Sequence, residues 1–337
     1  MVASRVVHRV RRLQILAMRR PRIPSPAATA IALVLLAACG ESTTPIDDGT
    51  LPQLLSELVG DGAGEQYYEP RWQLWTNGTV KRRTIELVDG GEIGTADRTS
   101  WSFPDGTRFL KTFSYLTQAS PTTPVPVETR VIRRRNGEWE TGVYVWRADG
   151  SDAELGAATS EVVVAVVDKD GRNIGHRIPS RGQCQVCHGN NTTFIIGFTE
   201  LQLNSTLAGE SGTQLAKLYQ NGTLGGALPG TPAAVQGPDA PTTDVLGYVQ
   251  GNCVHCHNAK NAPSGGLDLT PATFLAKTVN QPGPLSGNTL IVPQDPDNSE
   301  IFVRFSTGQM PALGVQLGDS AARVMVRAWI TTHDFGN

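Results

Sequence analysis

Two short stretches carry residues that could do chemistry: Cys184-Gln185-Val186-Cys187-His188 and Cys253-Val254-His255-Cys256-His257. Both are C-x-x-C-H, the attachment pattern of c-type haem. The spacing follows from the reaction. Two cysteines on one helical turn can each add to a vinyl group of the porphyrin. The histidine beside the second cysteine is then held under the iron. The chain has five cysteines, and the two motifs use four of them. The pattern therefore implies two covalent haem c groups, with iron ligated by His188 and His257. A competing use of Cys184, Cys187, Cys253 and Cys256 is a zinc site built from all four thiolates. That use leaves both following histidines without a role.

Each iron needs a sixth ligand or an open position. For the second haem the candidate is Met310. It lies 53 residues after His257, in a glycine-containing loop ahead of the last predicted helix. Histidine and methionine together raise a haem's reduction potential. The first haem is harder to complete, because no methionine lies between His188 and Cys253. His176 is the first choice. A non-histidine ligand, water or an open position are the alternatives. His255 sits between the cysteines of the second motif, which argues against its reaching the other iron.

The fifth cysteine falls in the N-terminal region. Seven arginines, from Arg5 to Arg22, precede an apolar run from Ala27 to Ala38. The run has the length of a signal-peptide core and is too short to span a bilayer. It ends Leu36-Ala37-Ala38-Cys39, which resembles a lipobox and makes Cys39 the expected lipidation site. Met18 is an alternative start. Without the seven arginines, 22 basic residues face 31 acidic ones, a net charge near −9. That balance argues against a nucleic-acid partner. The expected location is the cell envelope or periplasm, with the lipid anchored in a membrane. Gly40 after Cys39 favours the outer one. Export is also the setting in which free C-x-x-C pairs would oxidise, unless haem occupies them.

The elements that must position the motifs divide the chain. Residues 1–38 read as the leader and 39–64 as a tether, with a short helix around Leu51–Leu58. Residues 65–178 read as β structure. Seven runs, Val80–Leu87, Thr99–Phe103, Arg108–Tyr115, Val125–Arg134, Glu138–Trp146, Glu161–Val167 and Arg172–Arg177, are separated by turn residues such as Asn136-Gly137. They predict an antiparallel sandwich or jelly-roll-like domain. Trp72, Trp75, Trp101, Trp139 and Trp146 fall here and read as core and sheet-face aromatics. Residues 179–241 form a first haem module and linker, with a helix over Gly212–Gln220. Residues 242–337 form a second module. A threonine after Pro241 is expected to cap the helix that runs into Cys253. Asp319 or Ser320 is expected to cap a last helix that packs on it through Val324, Met325, Ala328 and Trp329. The fold class is α+β, with a β domain followed by a mainly helical dihaem region.

The second module resembles class I cytochromes c. More of the chain is similar to exported bacterial dihaem c-type cytochromes with an N-terminal β domain. The pieces that carry the resemblance are Leu74-Trp75-Thr76-Asn77-Gly78, Trp101-Ser102-Phe103-Pro104-Asp105-Gly106, Val143-Tyr144-Val145-Trp146, Pro179-Ser180-Arg181 and Met310-Pro311-Ala312-Leu313-Gly314. Thr76-Asn77 stand where that family segment reads Ser-Asp. The resemblance implies electron transfer through haem, with redox partner proteins in the cell envelope. The motifs leave two functions open. One is a lipid-anchored electron carrier. The other is a peroxidase-like haem enzyme, open at the first iron. Phosphate-loop, nucleophile-elbow and dinucleotide patterns do not occur.

Overall fold

The structure is a computed structural model. It describes residues 51–336 apart from 60, 61, 63, 89, 190, 192 and 261–265. The expected leader, Cys39 and the first part of the tether lie outside the described residues. Gly49–Asn337 form one compact unit.

Six strands make one antiparallel sheet in chain order: β1 (Gln66–Tyr67), β2 (Val80–Glu86), β3 (Arg108–Tyr115), β4 (Val125–Arg135), β5 (Glu138–Trp146) and β6 (Ala153–Leu155). β7 (Val162–Val167) and β8 (Asn173–Ile178) pair as a separate hairpin. Asn136 and Gly137, at φ 50° and 77°, form the tight turn between β4 and β5, and Arg135 faces Glu138 across it. This is the geometry that matches strand twist.

The sandwich expectation is corrected to a six-stranded meander plus a hairpin. Its faces are covered by helices and loops and, at the Phe113–Tyr115 end, by the β7–β8 hairpin. The run Thr99–Phe103 is not a strand, and only Ser102 makes an isolated bridge, to Gly94. Its aromatic residues serve the core instead, where Trp101 is buried.

Alternation along the strands sends neighbouring side chains to opposite faces. One face presents Leu110, Val131 and Tyr144 to Leu51, Leu55 and Leu58, with the last two on α1 (Leu55–Val59). The opposite face presents Ile85 and Phe109 to Ile195, Phe198, Leu203, Leu215 and Leu218. Those residues follow the first C-x-x-C-H motif. They belong to α3 (Glu200–Leu203), to α4 (Gln214–Gln220) and to the loop before α3. The motif itself is α2 (Cys184–His188).

The C-terminal part is helical: α5 (Ala240–Asn252), α6 (Phe274–Thr278), α7 (Glu300–Ser306) and α8 (Ser320–Thr332). Asp239, not a threonine, caps α5, and its side chain accepts from the Thr242 amide. Pro241 explains the difference. It sits in the first turn, where its missing N–H costs nothing, so the helix starts before it. Asp319 caps α8 by accepting from the Ala322 amide.

α8 packs on the second core through Val326, Trp329 and Ile330, with Met325 half-buried beside them. Val324 is 71% exposed. At 3.6 residues per turn it points away from the stripe that Ala322, Val326 and Trp329 define. The Trp329 indole N–H donates to Thr242 Oγ1 at 3.0 Å and ties α8 to α5.

Gly247 and Gly251 lie one turn apart on α5 and let Trp72 approach the helix. A Cβ on Gly251 would lie 2.7 Å from the Trp72 carbonyl oxygen and 3.0 Å from its carbon; one on Gly247 would overlap the indole. Alanine normally improves a helix interior by about 0.5–1 kcal/mol over glycine. Here the backbone of Trp72 must move, at a cost of about 1–3 kcal/mol. Gly251→Ala is therefore expected to lower the urea midpoint with an unchanged m-value. A raised midpoint would show that the Trp72 contact is not tight.

Candidate functional site

Local structure prepares both motifs. Before the first, a 3-10 turn spans Arg181–Gln183, and the Ser180 N–H donates to Gln183 Oε1 at 2.8 Å. The turn runs directly into α2, so Cys184, Cys187 and His188 share one turn of helix. The second motif continues from the end of α5. The Cys253 amide still bonds to the Val249 carbonyl, and the His257 amide bonds to the Cys253 carbonyl at 2.9 Å. The α5 axis therefore aims the motif.

The fold brings the two motifs together. Cys187 Sγ and Cys256 Sγ are 3.9 Å apart. Asn191 spans the junction: its amide group donates to the Cys187 carbonyl and, at 2.9 Å, to the His255 carbonyl. Asn258 donates to Asn191 Oδ1 at 2.9 Å and to the Val254 carbonyl at 2.8 Å. The place of His255 between two cysteines argues against its reaching the other iron, and the structure sets it beside a cysteine of the other motif. Its ring, Cys187 Sγ and Cys256 Sγ have ligand atoms within 4.8 Å of one another. The four-thiolate zinc set is not assembled, because among the described residues this close group takes one cysteine from each motif and leaves out Cys184 and Cys253. Motif spacing does not single out Asn191, Asn258 or His255 as junction residues. The available signal is an asparagine three positions after the first motif and another directly after the second.

The histidines suit iron. The His188 Nδ1–H donates to the Phe194 carbonyl at 2.7 Å. That bond selects the tautomer with Nε2 as the remaining donor, as ligating histidines require. His257 Nδ1 is buried without an aligned hydrogen bond, with the Leu267 backbone beside it. Burial is the main cause that pushes both imidazoles below the ordinary histidine range, so both favour the neutral, ligating form. Burial also pushes the Cys253 thiol up to about 12. Of the adjoining sulfurs Cys187 is the more acidic, because it accepts from Cys256 and lies beside His255. The donor set thus fits haem c: paired thiols on a turn beside a neutral imidazole, which at His188 is oriented by a backbone carbonyl.

The other candidates are dispersed. Met310 lies in the loop between α7 and α8, where its amide bonds to the Arg304 carbonyl at 3.1 Å. His176, on β8, is 0% exposed. Its Nδ1 shares a hydrogen bond with the Tyr115 hydroxyl at 3.0 Å, and its Nε2 lies 3.0 Å from Glu128 Oε1. The sequence offers His176 as the sixth ligand of the first haem; the fold engages both of its ring nitrogens in a polar core. Burial works to raise the Glu128 carboxyl, but Arg130 and His176 outweigh it and hold it below the usual range. Nearby, burial pushes the Lys81 ammonium down to about 7 and that of Lys111 well below its ordinary value, and neighbouring cations add to both.

The segment before β2 clasps the second motif and the loop after Met310. The Trp75 N–H donates to Asn252 Oδ1 at 2.7 Å, one residue before Cys253, and its indole N–H donates to the Leu317 carbonyl at 2.7 Å. Asn77, buried at φ 49°, accepts from the Gln316 and Leu317 amides at 2.7 and 2.8 Å. Asn77→Ala removes the acceptor of two N–H groups that are part-buried, on exposed Gln316 and half-buried Leu317. It is expected to speed hydrogen exchange at Gln316 and Leu317 at least tenfold while leaving the β3–β4 amides protected. Equal protection at all these amides would remove the clasp.

Residues 253–312 match the family model described as Planctomycete cytochrome C. No curated protein and no solved structure matches the chain. The matched stretch runs from the first cysteine of the second motif to two residues past Met310. It makes that part of the chain a c-type cytochrome-like region, and a cytochrome c region points to haem-based electron transfer.

Proposed function

We propose that this protein is a dihaem c-type cytochrome of the cell envelope, tethered by lipid on Cys39, that relays electrons between protein partners. The observation that carries the reading is the meeting of two C-x-x-C-H motifs, with one cysteine of each 3.9 Å apart. Bound haem supplies a one-electron iron couple. The chain's own residues hold it. Cys184 and Cys187 anchor the first group, and Cys253 and Cys256 the second. His188 and His257 would each supply an imidazole to the iron of their group, and Met310 would supply a thioether to the second. Phe194 keeps His188 in the ligating tautomer. The joined motifs keep the two attachment sites in one rigid body, which suits electron exchange between them.

A second reading rests on His176. To serve the first iron it would have to give up Tyr115 or Glu128. If it stays in the core, the first iron is left to a non-histidine ligand, water or an open position, and an open position would bind small molecules, as in a peroxidase-like enzyme.

On protein matured in a host with haem-attachment machinery, pyridine haemochrome is expected to report two haems per chain. Cys184→Ala/Cys187→Ala is expected to report one. Zero covalent haem in the unaltered protein would overturn the reading. Two low-spin haems inert to carbon monoxide identify a carrier; a high-spin haem that reacts rapidly with carbon monoxide or peroxide identifies the enzyme. For the tether, Cys39→Ser is expected to move the protein from the membrane fraction to the soluble fraction. Retention in the membrane would exclude the lipid anchor.

A further inference from the structure

The β sheet carries an unusual row of charge on the face that holds the first motif. Arg83 on β2 pairs directly with Lys111 on β3, and Lys111 pairs directly with Arg130 on β4. Directly opposed residues have Cβ atoms about 4.5–5.5 Å apart, and like charges there destabilise a sheet. Lys81 extends the cluster by one step. Lys81, Lys111 and Arg130 all gather on the ring of Phe113, at 5.8, 4.7 and 4.4 Å.

Glu128, Asp319 and Glu69 lie near enough to act on these cations, but among the described residues only Glu128 forms an ion pair within the row. Arg130 pairs with Glu128, which is shared with His176. Among the described residues, no carboxylate makes an ion pair with Lys81, Arg83 or Lys111. Arg83 is 3% exposed and donates to Gln73, a neutral amide. Arg83 is buried, the other three cations are half-buried, and Glu128 is the one carboxylate among the described residues paired within the row, so the row holds more positive charge than the protein neutralises, which calls for an anionic occupant.

The same face locates that occupant beside the first motif. Trp139 lies on this face, two strands from Lys111, and stacks on Phe194 at 5.8 Å and 8°. Phe194 is the residue whose carbonyl orients His188. Thr141, also on this face, reaches toward the Arg181 carbonyl just before Cys184. Haem carries two propionate carboxylates, and Arg and Lys are the side chains suited to take them.

We propose that Arg83, Lys111 and Arg130, with Lys81 at the end of the row, form the carboxylate-binding wall of the first haem's pocket and hold its propionates. The inference rests on the dihaem reading and assigns the β sheet a part in it. The sheet is then half of a haem pocket, and its cations set that haem's potential.

The test uses the full haem-loaded protein, from a host fed aminolaevulinate labelled with carbon-13 at its carboxyl, so that the propionates are marked. Lys111→Gln is compared with Lys111→Arg by haem content, spectroelectrochemical titration and redox-difference infrared spectra. With two haems retained, Lys111→Gln is expected to shift one haem's reduction equilibrium about tenfold toward the ferric state, roughly 59 mV for one electron. Loss of a positive charge favours the more positive iron, which sets the sign. The labelled carboxylate bands should move in Lys111→Gln and return in Lys111→Arg. If both haems are present and neither the potentials nor the labelled bands change, the propionate assignment fails while the dihaem reading stands. If the unaltered protein carries no covalent haem, the dihaem reading fails and takes this one with it. Should Lys111→Gln not accumulate, Lys81→Gln decides by the same readouts.

Discussion

The junction of the two C-x-x-C-H motifs is the constraint on which the rest of the structure depends. Cys187 and Cys256 are 69 residues apart in the chain, yet their sulfurs are 3.9 Å apart. Contacts between side chains so distant in sequence must overcome the entropy of closing a long loop. The Asn191 and Asn258 amides do part of this by bonding to backbone carbonyls of both motifs. The larger share comes from the two apolar cores on either side. One lies between the sheet and the segment after the first motif. The other is the helical core around Val245, Phe274, Phe302 and Trp329.

The sheet is a platform for this junction more than an independent module. Its Leu110, Val131 and Tyr144 face is closed by α1, so that side is spent on stability. Its other face is mixed. Ile85 and Phe109 join the core at one end, while Lys81, Lys111 and Arg130 surround Phe113 at the other. At that end Phe113, Tyr115 and Val127 also pack against Val166 and Ile174 of the β7–β8 hairpin, so the cations sit beside a second small core. The polar end is where a charged group belongs. The segment from Trp72 to Asn77 then extends from the sheet to α5 and to the loop before α8, so both motifs are referenced to one rigid body.

Burial governs the chemistry available at the junction. Both candidate proximal histidines are held neutral because desolvation disfavours the imidazolium. For His188 a backbone carbonyl fixes which nitrogen remains free. His176 shows the opposite outcome. It is more deeply buried than either motif histidine, yet a hydroxyl and a carboxylate occupy its two nitrogens. Whether a buried imidazole serves as a ligand depends on which of its nitrogens the fold leaves unused.

What the sequence alone determined is local in origin. The two C-x-x-C-H motifs, the strands flanking Asn136-Gly137, a helix within Gly212–Gln220 and a cap at Asp319 or Ser320 all follow from residue spacing and turn chemistry within a few positions. The run Thr99–Phe103 departs from its strand-like composition because β-favouring residues pair only if a partner strand is near. The six-stranded meander with a separate hairpin in place of a sandwich, the exposure of Val324, the capture of His176 and the approach of His255 to Cys187 were decided by tertiary structure. So was the alignment of Arg83, Lys111 and Arg130, since register brings together residues from three strands that no local pattern connects. Spacing can specify which side chains are able to hold a group, but only packing decides which of them face the same space.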